Sequence, residues 1–395
     1  MARRQKYIFA KKNRAGRIQK IILIILIVIA AALALLLLIS KKSLFAGGLD
    51  LKSDLRAEAG TELYASDFID NISGGSLKED PPIDTSTPGT KDVTVTIVSD
   101  GDQTEKVETF QVEVVDTTPP SISLSADSVN VVLYTKIDWA KFASVTDNTS
   151  ETPEITASGV DTSTAGEYQV TFQATDSSGN TAKESLKVNV IDMDNFEGDV
   201  TFQTGTGFTG TRTDGVTTVD GIVIANKSFS LPEDYGSGDL EGEVYDAYYE
   251  MKAAAAAEGY SIWIASGYRS YWTQYDLYTS YAAADGYEAA DTYSSRPGYS
   301  DHQTGCTFDL NSVDNTFIET DAGKWVNDHC AEYGFVIRYP QGKEEETGYV
   351  YESWHLRYVG KELAQKLYNN GDWISIEEYF GIPSRYSPSA PTFQD

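Results

Sequence analysis

The chain has 395 residues, 41% hydrophobic and 23% charged, with a net charge of -28. That length exceeds one ordinary core and predicts two to four domains, and the composition is that of a globular rather than a disordered chain. The acidic balance argues against nucleic acid as a partner, since phosphate binding needs a basic surface.

The charge is uneven. Residues 1–20 carry eight Lys/Arg and no acid, so the rest of the chain carries -28 - 8 = -36. Ile21 to Ile39 is an uninterrupted apolar run of 19 residues. A bilayer core needs about 20. The run predicts a transmembrane helix over 21–39, with a basic cytoplasmic tail over 1–20 and everything after it outside. A cleaved signal peptide is the rival reading. Its apolar region would be roughly 7–15 residues long, whereas here Lys41-Lys42 follow a longer run; Ala46-Gly47-Gly48 keeps cleavage open.

An internal repeat follows. Ile83-Asp84-Thr85-Ser86-Thr87-Pro88-Gly89 recurs as Val160-Asp161-Thr162-Ser163-Thr164-Ala165-Gly166. Alternating apolar residues after each copy predict antiparallel strands with one buried face. Two small β-sandwich modules are expected, over 44–117 and 118–192, joined at Thr117-Thr118-Pro119-Pro120. They resemble the immunoglobulin-like repeats of bacterial surface proteins, a resemblance unspecific as to function; they read as a spacer that holds the C-terminal domain away from the membrane, with ligand binding as the alternative. Residues 193–216 are rich in Gly, Thr and Asp and read as a linker.

A compact α+β domain with a small antiparallel sheet is expected over 217–385. Strands are predicted at 221–227, 260–266 and 335–339. Helices are predicted at 240–258, 271–285 and 321–333, the last ending at Gly334. The two cysteines, Cys306 and Cys330, lie in the exported part and form a candidate disulfide; two separate buried thiols are the alternative.

All three histidines, His302, His329 and His355, fall in this domain. In Ser300-Asp301-His302-Gln303-Thr304-Gly305-Cys306-Thr307-Phe308-Asp309, a histidine and a carboxylate seven apart face opposite ways on a regular strand. Gly305 is placed to supply the bend that turns both inward. Nitrogen and oxygen ligands suit Zn²⁺, which then needs a third protein ligand and an open position for water. Glu352-Ser353-Trp354-His355 supplies a histidine and, three residues earlier, a carboxylate able to act as general base. Ser266-Gly267-Tyr268-Arg269-Ser270 follows a strand and places an Arg to grip a carboxylate. Taken singly, the first motif reads rather as a loop histidine with a capping Asp, the second also as a helix-face Glu–His pair with Trp in the core, and the third more commonly as a surface ion pair.

The three motifs in this order resemble the VanY-type D-alanyl-D-alanine carboxypeptidases, within the lysostaphin/D-Ala-D-Ala/hedgehog metallopeptidase group, over roughly 217–375. The resemblance implies a zinc enzyme with His302, Asp309 and His355 as ligands, Glu352 as catalytic base and Arg269 binding substrate and stabilising the transition state. Ser300 and Gln274 match positions that line the site; His329 matches none. Thr307 and Cys306 depart from the family pattern, which usually has a small and an aliphatic residue there. The implied partners are peptidoglycan stem peptides, cleaved outside the membrane. Rival expectations are an L,D-carboxypeptidase or cross-link endopeptidase and, from another class, a non-catalytic wall-binding surface protein. Oligomeric state is not legible.

Overall fold

The computed structural model describes residues 48–393. The expected tail and membrane helix, 1–39, lie outside the described residues. Among the described residues no helix is long and apolar enough to cross a membrane.

The chain divides into two units. The first comprises residues up to Pro119 together with Asp147–Thr152 and Asp176–Asn180. Its strands are β1 (Leu49–Leu51), β2 (Arg56–Glu58), β3 (Ile69–Ile72), β4 (Gly75–Leu77), β5 (Gly89–Ser99) and β6 (Glu105–Val115). They form a four-stranded sheet in the order β2-β6-β5-β4 and a two-stranded sheet of β1 and β3. The period-two pattern works as expected: Val93, Val95 and Ile97 on β5 and Phe110, Val112 and Val114 on β6 are buried together, while alternate residues face out.

The second unit opens with the second repeat: β7 (Ser121–Leu124), β8 (Ser128–Val132), β9 (Ala143–Thr146), β10 (Glu154–Ala157), β11 (Gly166–Thr175) and β12 (Thr181–Ile191). β11 and β12 form the same long hairpin as β5 and β6. The expected linker over 193–216 is corrected by the structure. It contributes β13 (Val200–Gln203), β14 (Thr209–Thr213) and the start of β15 (Val216–Val219), which is followed by β16 (Ile222–Ile224). These strands extend one eight-stranded sheet, β10-β11-β12-β8-β13-β14-β15-β16. Asp214-Gly215 and Asp220-Gly221, all at positive φ, close the two hairpins, as two-residue turns of that type require. Phe202, Val219 and Ile224 join the core of the following domain.

That domain holds α1 (Gly242–Ala257), β17 (Ile264–Ser266), α2 (Tyr271–Asp285), α3 (Tyr287–Tyr293), β18 (Thr307–Leu310), α4 (Asp321–His329), β19 (Phe335–Tyr339), α5 (Glu344–Thr347), β20 (Glu352–Tyr358), α6 (Lys361–Tyr368) and α7 (Ile376–Phe380). Its sheet runs β17-β18-β20-β19, antiparallel throughout. One core combines Val244, Tyr248 and Met251 of α1 with Phe308 and Leu310 of β18, Phe335 and Ile337 of β19 and Leu356 of β20. Ser270 caps α2 and Thr320 caps α4 through their side-chain oxygens.

The candidate disulfide is also corrected: Cys306 and Cys330 are free thiols. The backbone carbonyl of Cys306 accepts from Tyr358 on β20. Cys330 starts the short helical turn that leads into β19, and β20 lies between β18 and β19. Cys330 is wholly buried, and burial pushes its thiol pKa well up, so it is an inert core residue.

Candidate metal centre

Register across three strands builds the site. β17 sets Ser266 opposite Asp309, and β18 sets Asp309 opposite His355 on β20. Side chains of directly paired residues start about 5 Å apart at Cβ, close enough to share one ion. His302 arrives from a separate turn, Asp301–Thr304. Gly305 ends that turn at φ 72°, and a Cβ there would lie 2.9 Å from the Asp239 carbonyl oxygen. Only glycine makes this bend, which brings a histidine and a carboxylate seven residues apart to the same side.

Glu352 and His355 need a second device, because residues three apart on a strand face opposite ways. Ile337 pairs with Leu356 but Tyr339 pairs with Glu352. The extra residues on β20 form a bulge. It brings Glu352 Oε2 to 2.9 Å from His355 Nδ1.

The ring nitrogens are already sorted. His302 Nδ1 lies 2.8 Å from the Gly267 carbonyl oxygen, so it carries the proton and donates. His355 Nε2 lies 3.2 Å from Asp301 Oδ1. His302 Nε2 is thereby left facing Asp309 Oδ2 at 3.5 Å, and His355 Nδ1 lies between Asp309 Oδ1 at 3.6 Å and Glu352 Oε2 at 2.9 Å. Tetrahedral zinc with bonds of about 2.0–2.1 Å holds its ligand atoms about 3.3 Å apart. Asp309 Oδ1 is buried and has no hydrogen-bond partner. The three side chains fit a divalent ion, and all three are buried.

Charge points the same way. The buried acids Asp301, Asp309, Glu352 and Glu377 face two guanidiniums, Arg269 and Arg338, which leaves -2 to be balanced. Without a metal, burial would keep His355 neutral. The carboxylates of Asp301, Glu352 and Asp309 outweigh burial and push its pKa up to about 10. Burial likewise opposes ionisation of Asp309, but His302, His355 and Arg269 hold its carboxyl below the usual range.

Arg269 lies on the wall of a cleft of about 400 Å³ whose lining includes Ser300, Tyr351 and Trp354. Its guanidinium donates to Gln274 Oε1 at 2.9 Å and Ser266 Oγ at 3.1 Å. Gln274 therefore differs from its expected place. It is fully buried, its amide nitrogen donates to the Ser295 carbonyl oxygen, and it supports Arg269 rather than facing the cleft. Trp354 is half-buried and walls the site. His329 stacks on Trp325 and pairs with Glu332 at the surface, away from the other histidines.

Comparison with known proteins agrees with this geometry. Residues 237–361 match the family model VanY, D-alanyl-D-alanine carboxypeptidase, and residues 137–190 match the bacterial surface protein Ig-like domain. The protein YodJ of Bacillus subtilis is 36% identical over 197 residues, covering 43% of this chain and 71% of YodJ. The chain belongs to the VanY family of carboxypeptidases. A D-alanyl-D-alanine carboxypeptidase of Enterococcus faecium is 35% identical over 144 residues, 35% of this chain and 45% of that protein. The solved DacB of Streptococcus pneumoniae D39 is 42% identical, covering 45% of this chain and 98% of DacB, with a TM-score of 0.41.

Behind the three metal-facing side chains of this VanY-family domain lies a buried ionic chain that sequence reading missed. Asp301 Oδ2 accepts from Arg338 Nε at 3.1 Å, and Arg338 pairs with Glu377 through two bonds of 2.9 and 2.7 Å. Asn226 Nδ2 donates to Glu377 Oε1 at 3.0 Å. One signal was available: Arg338 interrupts the apolar strand Phe335-Val336-Ile337-Arg338-Tyr339, and a charge there demands a partner. Asp301 holds the His355 ring and adds to its basicity. Such a neighbour is worth roughly 10–100-fold in metal affinity. Asp301→Asn should therefore weaken zinc binding by about that factor in a chelator competition. Unchanged affinity would remove Asp301 from the site.

Proposed function

We propose that this protein is a zinc-dependent D,D-carboxypeptidase that removes the terminal D-alanine from peptidoglycan stem peptides. The observation that carries the reading is the convergence of His302 Nε2, Asp309 and His355 Nδ1 around an unpartnered carboxylate oxygen, with Glu352 at the edge and Arg269 on the cleft wall. Those three side chains would hold the ion. Zinc, when bound, supplies Lewis acidity and a nucleophilic water at neutral pH. Glu352 takes the proton of the attacking water and returns it to the leaving amine. Arg269, fixed by Gln274 and Ser266, receives the substrate carboxylate or the developing oxyanion. Ser300 and Trp354 shape the cleft. Residues 21–39 would anchor the enzyme with this domain outside the membrane, where its substrate lies.

The test is a substrate panel on the full-length protein: pentapeptide, tetrapeptide and cross-linked stem peptides, with D-alanine release measured. The expected result is release from the pentapeptide, loss of that activity with a zinc chelator, and recovery on adding zinc. Release from the tetrapeptide alone would make it an L,D-carboxypeptidase, and scission of cross-links alone an endopeptidase. Wall binding with no release from any substrate would leave a non-catalytic surface protein.

A further inference from the structure

The first unit contains a second cluster of ligand-type side chains, of different chemistry. Asp116 lies just after β6; Asp147 and Asp176 come from the two loops that belong to this unit. Their carboxylate oxygens lie within 4.8 Å of one another. Asp116 and Asp176 are more than nine-tenths buried.

Local packing brings the three segments together. Gly60, at φ 73°, sits so close to the Asp147–Thr152 loop that a Cβ would lie 2.1 Å from the Asn148 carbonyl oxygen. Asn148 Nδ2 donates to the Ala59 carbonyl oxygen at 2.9 Å and to Asp116 Oδ1 at 3.2 Å. Asn180 Nδ2 donates to the Asp116 carbonyl oxygen at 3.0 Å and to Asp176 Oδ2 at 3.0 Å.

These bonds leave specific oxygens over. Asp116 Oδ1 has donors and Oδ2 has none; Asp147 Oδ2 accepts from Thr149 and Oδ1 has no partner. Asn148 Oδ1 is also buried without a donor. The ion pairs Arg56–Asp54, Lys78–Glu105, Lys91–Asp84 and Lys106–Glu108 of this unit lie at other carboxylates. Two buried carboxylates and a half-buried third, clustered within 4.8 Å, disfavour the fold unless a cation is present. The donors are all oxygen, with no nitrogen or sulfur, which selects a hard cation. Calcium takes six to eight oxygens in flexible geometry, as loops of this kind supply, whereas magnesium demands a near-ideal octahedron and keeps several waters.

We propose that Asp116, Asp147 and Asp176, with the side-chain oxygen of Asn148, form a calcium site in the first unit. Waters and carbonyl oxygens would complete its coordination. The ion ties the Asp147 and Asp176 loops to the end of β6, so its effect falls on stability rather than on peptide hydrolysis.

The experiment uses full-length, zinc-loaded protein freed of calcium, titrated with calcium by calorimetry and followed by thermal melting. We expect one calcium per chain, half-saturated at about 0.1–1 mM as in extracellular modules, and a melting transition raised by several degrees. Asp116→Asn and Asp147→Asn should each weaken calcium binding at least tenfold and leave D-alanine release unchanged. In calcium-free buffer both variants should melt no lower than the parent, because each removes one repelling charge. That control separates loss of a ligand from misfolding. No uptake at about 10 mM calcium, uptake unaltered in both variants, or equal affinity for magnesium would overturn the proposal.

Discussion

Glu352→Gln should lower kcat by roughly 10²–10⁴-fold, the usual contribution of a positioned general base, while zinc stays bound at one equivalent per chain. The two outcomes separate because the residues divide the work. His302, Asp309 and His355 form the set that can share an ion, and Glu352 stands outside it, 2.9 Å from His355 Nδ1. Glutamine keeps the shape and one acceptor but cannot take a proton. Glutamine is nearly isosteric and keeps an acceptor for His355 Nδ1, so the bulged strand should keep its shape. His302→Ala should behave in the opposite manner and lose metal and activity together. Metal analysis beside D-alanine release on the pentapeptide makes the comparison. Full turnover by Glu352→Gln would refute the base assignment and move the proton transfer to another group.

Legibility in the sequence follows the kind of signal each element leaves. Local signals worked. The helix Tyr271–Asp285 and the strand Phe335–Tyr339 were predicted with the bounds observed, because a cap, a glycine or an apolar run marks each end. The bend at Gly305 was also readable, since two ligand types seven apart need a positive φ between them. Composition misled over 193–216. Gly, Thr and Asp suggested a linker, yet Val216-Thr217-Thr218-Val219 lies between two Asp-Gly pairs, and that pattern signals hairpins more strongly than composition signals disorder. The cysteines misled differently: a compartment that permits disulfides does not bring two residues on opposite sides of β20 together. The partners of Arg338 lie 37 and 39 residues away along the chain. No spacing rule reaches so far, so only the oddity of a charge in that strand was visible. The Asp116, Asp147 and Asp176 cluster was hidden for the same reason.

Arg338→Met should destabilise the peptidase domain by about 3–5 kcal/mol, the cost of breaking a buried ion pair from one side. Arg338 is 2% exposed, and its guanidinium is the shared partner of Asp301 and Glu377, which are 1% and 2% exposed. Methionine fills the volume but leaves Glu377 buried without a counter-charge and Asp301 with His355 alone. Removing Glu377 as well, in Arg338→Met/Glu377→Leu, should recover part of the loss, since one of the stranded charges is gone. With Glu377→Leu alone as the third variant, the recovery measures the coupling of the pair. Asp301 loses Arg338 and keeps only His355 as partner in both variants, so zinc affinity should stay low even where stability returns. Five of the six tryptophans lie beyond residue 260, so the urea transition followed by tryptophan fluorescence reports mainly on this domain. A single variant within 1 kcal/mol of the parent would mean that water reaches Arg338 and that the ionic chain does not support the metal-facing histidine. A double variant that regains stability but not zinc affinity would assign the chain two separable tasks: Glu377 joins α7 to the sheet, and Asp301 holds His355 for the ion.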